Sequence, residues 1–387
     1  MEKLDILVKI LLAFASARLL GRAFYRAGLP SVVGELLAGA ILGPAALGLL
    51  GHSEILDALS ELGVIILLFT AGLETKLGEL TKVLGPGVRV GTLGVIFPFA
   101  LGFALGMAVG FPVAESLFVG ASMTATSVGI TVRVLSDLGI KTDEVVRTIL
   151  AAAVLDDILG LIVLVAVKRL ALGGFNPLEL SLLVLEAVAF VGFVAIAGPR
   201  VVRRRRTFLS SLSCDFLFEI SVVLMLGLSI LSEYIGLAAI VGAFLAGLVL
   251  SDLGEFTAIE DRFTTLGWFF VPFFFVAMGL YLDINLFTNP VVLLETAALS
   301  VVAILGKLVG GYLGSRAMGR SSAIRVGVGM IPRGEVGIVV AGTALAAGAI
   351  SKDVYASVIG MVLVTTIVSP FLIKAVYAKR SEKPAGS

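Results

Sequence analysis

Two adjacent carboxylates interrupt a strongly apolar stretch of this sequence. Asp156 and Asp157 lie within residues 151–160, which read AAAVLDDILG. A charge at the centre of a bilayer costs at least about 2.5–3.5 kcal/mol, so it is rarely kept without a function. Two neighbouring acids in a poorly solvated place resist ionising together, which favours the binding of a proton. Once deprotonated, they offer hard oxygen ligands to a small alkali cation, so protons and a cation could compete for one site.

Lys307 is the one lysine deep inside an apolar segment, residues 303–311, which read AILGKLVGG. A lone ammonium in such a place needs a counter-charge, and Asp156 or Asp157 is the candidate. A neutral, desolvated lysine is the alternative, and either form could carry protons. The structural alternative for the two aspartates is a buried ion pair that locks two helices. A third possibility is that one acid is structural and the other functional.

Two further apolar segments contain polar breaks near their midpoints. Residues 123–131 read MTATSVGIT, and residues 329–337 read GMIPRGEVG. Pro332 and Gly334 are unfavourable inside a helix. Interrupted helices at mid-membrane depth are tolerated only where they line a cavity or are buried in protein, and their freed ends then form ion sites.

Side chains beside these breaks are candidates for two roles. Arg333 and Glu335 are predicted to neutralise the partial charges at the broken helix ends, and direct ion binding by Glu335 is the alternative. Thr126 and Ser127 could lend oxygen ligands to the cation, and ordinary hydrogen bonding to the helix backbone is their alternative. The predicted site for the cation and protons comprises Asp157, Asp156, Thr126 and Ser127.

The composition places most of the chain in a membrane. Of 387 residues, 58% are hydrophobic and 15% are charged, whereas a soluble domain carries about 25% charged residues. The net charge of +1 indicates no nucleic-acid partner. Cys214 is the only cysteine and His52 the only histidine, which excludes an intrachain disulfide and a site with several histidine ligands. Because no nucleotide-binding loop or nucleophile triad is recognisable, neither a cofactor nor an enzyme is predicted.

Polar residues, glycines and prolines divide the chain into thirteen candidate membrane spans. A membrane-spanning helix needs about 20 mostly apolar residues. The predicted fold class is therefore an all-α polytopic membrane protein with short connections. The spans, numbered one to thirteen, run near 5–25, 31–49, 57–75, 87–110, 115–138, 145–169, 178–205, 212–232, 236–251, 262–283, 290–316, 322–349 and 353–378.

The distribution of Lys and Arg predicts the orientation, because positive residues are retained on the cytoplasmic side. Connections after odd-numbered spans are basic, and they include Arg22, Arg26, Lys82, Arg200 and the cluster Arg203 to Arg206. The opposite side carries only Lys3, Lys9, Lys168, Arg169 and Lys352. We therefore expect an inner-membrane protein with its N-terminus outside and its C-terminus in the cytoplasm. A lipid-headgroup anchor is the alternative role of the arginine cluster.

The chain repeats itself at an offset near 208 residues. Residues 33–42 match residues 241–250, with six of ten positions identical, and Gly72 matches Gly279 at an offset of 207. Matched spans are seven apart, so equivalent helices must cross the membrane in opposite directions. Spans one to six and eight to thirteen are therefore predicted to form inverted repeats, an organisation typical of secondary transporters.

Taken together, the motifs resemble those of bacterial cation:proton antiporters, specifically the NapA-like sodium/proton branch. The resemblance covers nearly the whole chain. The motifs that carry it are Gly34-Glu35 with Gly39 and Gly43-Pro44, Thr126 to Ile130, Asp156-Asp157, Lys307, and Pro332 to Gly337.

The resemblance implies a homodimer in membrane lipid, whose protomers each have a scaffold and a moving core with two broken crossing helices. Residues 1–84 and 211–288 would form the two halves of the dimerisation scaffold. Residues 85–172 and 289–387 would form the two halves of the ion-transport core, and residues 173–210 would be a linker helix. The core would move past the scaffold in an elevator-like step that exposes the site to each side in turn.

The resemblance also implies residue roles. Asp157 would be the main carrier of cation and proton, and Asp156 would pair with Lys307 and help to couple protons. An aspartate before Asp157, together with the lysine, is similar to the electrogenic members, which move more protons than sodium ions. Electroneutral relatives usually have asparagine there. The implied function is electrogenic exchange of Na⁺ or Li⁺ for protons.

Other functions are weighed against this one. Within transport, the alternatives are a potassium/proton antiporter and a sodium-coupled solute symporter. An ion channel is a second class, but a channel needs no inverted broken helices around a protonatable pair. Intramembrane proteases use paired aspartates too, yet Asp156 and Asp157 would point about 100° apart on one helix and could not face each other across a scissile bond.

Overall fold

In the computed structural model the protein consists of α-helices, and the residues that the structure describes contain no strand. Those residues are 2–44, 46–51, 53–75, 77–140, 143–172, 177–205, 208, 212–251, 257–281 and 289–378. His52 and Arg206 lie outside them, as do the predicted domain boundaries near 173, 210 and 288.

Helices occupy almost all of the described chain. They are α1 (Glu2–Arg26), α2 (Ser31–Leu42), α3 (Glu54–Glu74), α4 (Leu77–Leu80), α5 (Leu84–Val109), α6 (Val113–Ser122), α7 (Val128–Asp137), α8 (Glu144–Leu172), α9 (Pro177–Arg204), α10 (Cys214–Tyr234), α11 (Ala239–Leu250), α12 (Thr257–Leu280), α13 (Pro290–Ser315), α14 (Arg320–Gly329), α15 (Glu335–Ala346) and α16 (Lys352–Ala378). Short 3₁₀ turns at Thr81–Val83 and Arg316–Met318 connect some of them.

Each predicted span contains at least one of these helices, and spans five and twelve contain two each, as the breaks predicted. Span two is shorter than the prediction of 31–49, because α2 ends at Leu42. The following Gly43 is extended, with φ −69° and ψ 175°, as expected for a residue that precedes a proline. Eight of the described helices are long and apolar enough to cross a membrane, so the chain is a polytopic membrane protein.

Glycines that match between the repeats occupy equivalent helix crossings. A β-carbon at Gly39 would lie 3.0 Å from the Gly279 Cα, so α2 and α12 cross backbone to backbone there. A β-carbon at Gly72 would lie 3.1 Å from the Gly247 Cα, where α3 and α11 cross. Gly39 matches Gly247, and Gly72 matches Gly279, so the second crossing is the first one repeated. Small residues permit this close approach in lipid, where apolar burial alone does not drive helices together.

The most extensive helix contacts all lie within one of two groups. In the first group, α3 packs against α11 and α12, and α12 also packs against α2. Helix α1 packs on α2, and α10 packs on α11. In the second group, α5 packs along α13, α6 and α8 pack against α5, and α14 and α16 pack against α13. Helix α9 contacts α8 of the second group and α11 of the first. Helix α15 contacts α16 and α6 of the second group, and α7 contacts α16 and α8 of the second group as well as α3 and α2 of the first. With α7 and α15 assigned to it, the second group contains both broken helices and both predicted charged segments.

Candidate functional site

The two helix breaks lie directly against each other. The backbone N–H of Ser127, in the first break, donates to the Pro332 carbonyl oxygen in the second at 2.8 Å. A β-carbon at Gly334 would lie 2.7 Å from the Ser127 hydroxyl oxygen, so only glycine fits where the breaks cross. The hydroxyl of Thr131 donates to the Gly329 carbonyl oxygen at 2.6 Å. Spans five and twelve therefore cross through their unwound segments.

Local sequence explains why each helix stops. Near the end of α6, the hydroxyls of Ser122 and Thr124 donate to carbonyl oxygens three residues back, both at 2.8 Å, and such bonds compete with the helix ladder. In the second break, Pro332 has no N–H to donate. Its neighbour Arg333 then uses its carbonyl oxygen to accept from the Thr366 hydroxyl of α16 at 2.6 Å. Side-chain hydroxyls thus satisfy backbone groups that the breaks would leave unpaired.

Arg333 is fully buried at this crossing. Its Nη1 donates to the Ala125 carbonyl oxygen in the first break at 2.6 Å, and its Nη2 donates to the Ala303 carbonyl oxygen of α13 at 3.3 Å. The positive guanidinium therefore lies just beyond the C-terminal end of α6, where a helix presents negative partial charge. The predicted role of Arg333 in compensating a helix dipole calls for a positive charge at such a position.

Lys307 and Asp156 form a buried ion pair between α13 and α8. The Lys307 Nζ donates to the Asp156 Oδ1 at 2.6 Å, with side-chain exposures of 0% and 1%. A β-carbon at Gly94 of α5 would lie 3.7 Å from the same Nζ, so α5 also packs against the ion pair. The structure thus selects Asp156 as the counter-charge of Lys307.

Asp157 has a different environment from its neighbour. It is half-buried, whereas Asp156 is almost fully buried, as expected of adjacent residues that point to different faces of one helix. One turn after Asp156, α8 passes the first break, because a β-carbon at Gly160 would lie 3.7 Å from the Thr124 hydroxyl oxygen. The aspartates and the breaks therefore belong to one region of the second group.

Two buried oxygens in this region have no hydrogen-bond partner among the described residues. They are the second carboxylate oxygen of Asp156 and the hydroxyl oxygen of Thr126. Buried polar atoms are nearly always hydrogen-bonded, so such exceptions call for a ligand or a solvent molecule. Ser127 is buried as well. Glu335 begins α15 beside the second break, and its side chain lies outside the described residues.

Thr131 and Thr366 were not among the predicted site residues. Their hydroxyls bond the carbonyl oxygens of Gly329 and Arg333, at the start and in the middle of the second break. The pair Thr365-Thr366 in an apolar span was the available signal, but a threonine there usually bonds its own helix. Thr365 does so, through the carbonyl oxygens of Met361 and Val362.

The fold and the site define a class of protein, the polytopic ion transporter. Crossed broken helices, a buried ion pair and a neighbouring carboxylate suit the passage of small cations and protons rather than a resident metal. In the described part of the chain, no three His, Cys, Asp or Glu side chains cluster as ligands of a bound metal. The chain belongs to the family of transmembrane sodium/hydrogen exchangers, whose model matches residues 10–379.

Characterised relatives cover nearly the whole chain. The Na(+)/H(+) antiporter of Enterococcus hirae is 36% identical over 97% of this chain and 98% of its own length. The Na(+)/H(+)-K(+) antiporter GerN of Bacillus cereus is 34% identical over 97% of each chain. The sodium proton antiporter MjNhaP1 of Methanocaldococcus jannaschii is 18% identical, with a TM-score of 0.77 over the full length of both chains, and so shares the fold. The family is one of ion antiporters and not of enzymes.

Proposed function

We propose that this chain exchanges sodium or lithium ions for protons across the cytoplasmic membrane. The observation that supports this most is the buried pair of Lys307 and Asp156 beside the half-buried Asp157, next to two crossed helix breaks. Such a cluster gains stability when a cation or a proton neutralises its carboxylates. The names of the relatives from Enterococcus hirae and Bacillus cereus both include sodium as a transported cation.

In this proposal Asp157 is the main carrier, because its carboxylate is the one that is partly accessible. The unpartnered oxygens of Thr126 and Asp156 complete the cation site together with Ser127. Oxygen ligands of this kind suit hard alkali cations. When the site loses its cation, a proton returns to Asp157, so cation and proton exclude each other.

The Asp156–Lys307 pair would make the exchange electrogenic. A cation that binds both aspartates competes with the ammonium of Lys307 for Asp156, and a displaced, desolvated ammonium releases its proton. One proton from Asp157 and one from Lys307 would then leave for each sodium ion that binds. Each net charge that crosses the membrane gains about 2.3 kcal/mol per 100 mV of membrane potential.

Alternating access would come from motion between the two helix groups. The first group, with residues 1–84 and 211–288, would be the dimerisation scaffold of a homodimer. The second group, with residues 85–172 and 289–387, would be the moving core, and residues 173–210 would link them. This division is supported by the helix packing, since the extensive contacts lie within the groups and few join them. Such packing suits an elevator-like step of the core past the scaffold.

Arg333 would hold the crossing together during this step, because its guanidinium bonds both the first break and α13. Glu335 would compensate the N-terminal end of α15, where a helix favours a negative charge. The basic connections support an orientation with the N-terminus outside and the C-terminus in the cytoplasm.

Potassium is the second candidate substrate, because the relative GerN is named a Na(+)/H(+)-K(+) antiporter. The experiment that decides is transport by purified protein in liposomes with an imposed proton gradient. Sodium, lithium or potassium is added, and the internal pH is followed. The proposal predicts a pH change with sodium and lithium that an imposed membrane potential accelerates. A response to potassium alone would assign the second candidate, and no response over a broad pH range would contradict antiport.

A further inference from the structure

An ion pair outside the proposed site joins the two helix groups. Glu35 of α2 is almost fully buried, and its Oε1 lies 3.2 Å from the Nη2 of Arg133 on α7. Helix α2 belongs to the first group and α7 to the second. The sequence shows Glu35 only as part of the Gly34-Glu35 motif, so its burial and its partner on another helix are new information.

A second polar contact extends this pair. The Nε of Arg133 lies 3.4 Å from the Oδ1 of Asp137, one turn further along α7. Asp137 in turn accepts hydrogen bonds from the backbone N–H of Ser31, at 3.3 Å, and from its hydroxyl. Ser31, Glu35, Arg133 and Asp137 together form a latch between the first turns of α2 and the last turns of α7.

The latch acts on the same short helix that begins at the cation site. Helix α7 starts directly after Ser127, and Arg133 follows six residues later, about 9 Å along the axis. The start of α7 also packs on the first group, because a β-carbon at Gly129 would lie 3.2 Å from the Val64 side chain of α3. A displacement that slides the second group past the first would therefore separate Arg133 from Glu35.

The latch lies at the cytoplasmic ends of its helices. Span one runs inward in the predicted orientation, so α2 begins and α7 ends on the cytoplasmic side. A cavity of about 430 Å³ lies there, lined by Tyr25, Pro30, Asp137 and Lys374 among others. Water in this cavity can hydrate the charges when the latch opens, which lowers the cost of separating them.

We infer that Glu35 and Arg133 are positioning residues that hold the cytoplasmic end of α7 against α2 and so stabilise the state in which the cytoplasmic gap between the groups is closed. This inference rests on the proposed function, since it needs the groups to move. Breaking the latch favours the cytoplasm-facing state. The apparent affinity for a cation on that side rises, because a larger fraction of the protein is competent to bind there.

Neutral variants test the side-specific effect. Glu35→Gln and Arg133→Gln should each lower the half-saturating sodium concentration on the cytoplasmic side by roughly fivefold, and raise it on the outer side. The double variant should show no change beyond that of Arg133→Gln, because Arg133→Gln alone already breaks the contact with Glu35. Arg262→Gln is the matched control, since Arg262 pairs with Asp215 at 2.6 Å within the first group. Equal shifts on both sides, additive effects, or the same effect in the control would overturn the inference.

A cross-link tests the motion independently of buried charge. In a Cys214→Ser background, which has no other cysteine, Ser31→Cys and Asp137→Cys should form a disulfide across the latch. Oxidised protein should exchange cations at least tenfold more slowly, and reduction should restore the rate. Full cross-linking with an unchanged exchange rate, or no cross-link at all, would contradict the role of the latch but not the proposed function. A background protein that exchanges no cation would overturn the proposed function and the latch with it.

Discussion

Arg333 donates a hydrogen bond to the Ala125 carbonyl oxygen, and the two residues are 208 positions apart, which is the offset of the internal repeat. Residues related by a two-fold rotation meet only near its axis, so the crossing of the breaks lies on the pseudo-two-fold axis. Gly306 and Pro98 are also 208 apart, and a β-carbon at Gly306 would lie 2.8 Å from the Pro98 Cα. Lys307 therefore directly follows a residue that lies near this axis.

The Thr366 hydroxyl should matter more than that of its neighbour. Thr366→Val leaves the Arg333 carbonyl oxygen in the break without its partner, so we expect a loss of about 1–2 kcal/mol in stability and slower cation exchange. Thr365→Val is the matched control, because its hydroxyl bonds carbonyl oxygens of its own helix. Thermal unfolding of both variants in detergent is the measurement. Equal losses would show that the bond to the break has no special weight.

The buried ion pair predicts a non-additive mutant cycle. Lys307→Ala leaves Asp156 buried without its counter-charge, which should cost about 3–5 kcal/mol. The double variant Asp156→Asn with Lys307→Ala should lose less than the sum of the single variants, with a coupling of about 1–3 kcal/mol. The unfolding midpoints of the four proteins give this coupling. Lys352→Ala, at an exposed position, should change the midpoint little, and strict additivity would contradict the pair.

The glycine crossing of α2 and α12 predicts a steric effect on the first helix group. A β-carbon at Gly39 would lie 2.0 Å from the Val276 carbonyl oxygen, so Gly39→Ala must push the helices apart. Overpacking of this kind costs about 1–3 kcal/mol. Gly227→Ala in α10 meets no atom within 4 Å and serves as the control. It should keep or raise the unfolding midpoint, since alanine is the better helix former. A control that loses as much stability as Gly39→Ala would argue against the close crossing.

Competition at the carboxylates predicts how sodium affinity depends on pH. Protonated aspartate cannot bind the cation, so a higher pH frees the site and lowers the half-saturating sodium concentration. The fall should approach about tenfold per pH unit for each proton that competes, and it should level off once the site is deprotonated. Sodium titrations of transport between acid and alkaline pH measure this slope. A half-saturating concentration that does not change with pH would contradict a shared site.

The helical segments, the two breaks and the need of Lys307 for a carboxylate partner were predictable, because each leaves a strong local signal in an apolar sequence. Pro332 and Gly334 interrupt a helix wherever they occur, and Lys307 in lipid demands a partner. The choice between Asp156 and Asp157 as that partner was left open at the residue level. It depends on the rotation of α8 about its axis, which its packing against α5 fixes.

Contacts between distant polar residues could not be predicted. Glu35 reads as an ordinary acid near a helix end, and Arg133 as one of many basic residues on the cytoplasmic side. Only the placement of α7 against α2 brings them together as an ion pair. The contacts of Arg333 could not be predicted either. Its partners are the backbone carbonyl oxygens of Ala125 and Ala303, whose apolar side chains give no sign of a hydrogen bond.

The central claim is that one carboxylate, Asp157, binds either a proton or a sodium ion. Addition of sodium to purified protein in weakly buffered solution measures this directly, as protons released per sodium ion bound. The parent and the control Asp353→Asn, altered at an exposed position, should release protons when sodium binds. Asp157→Asn should bind no sodium and release none. Proton release from Asp157→Asn at the level of the parent would contradict the claim.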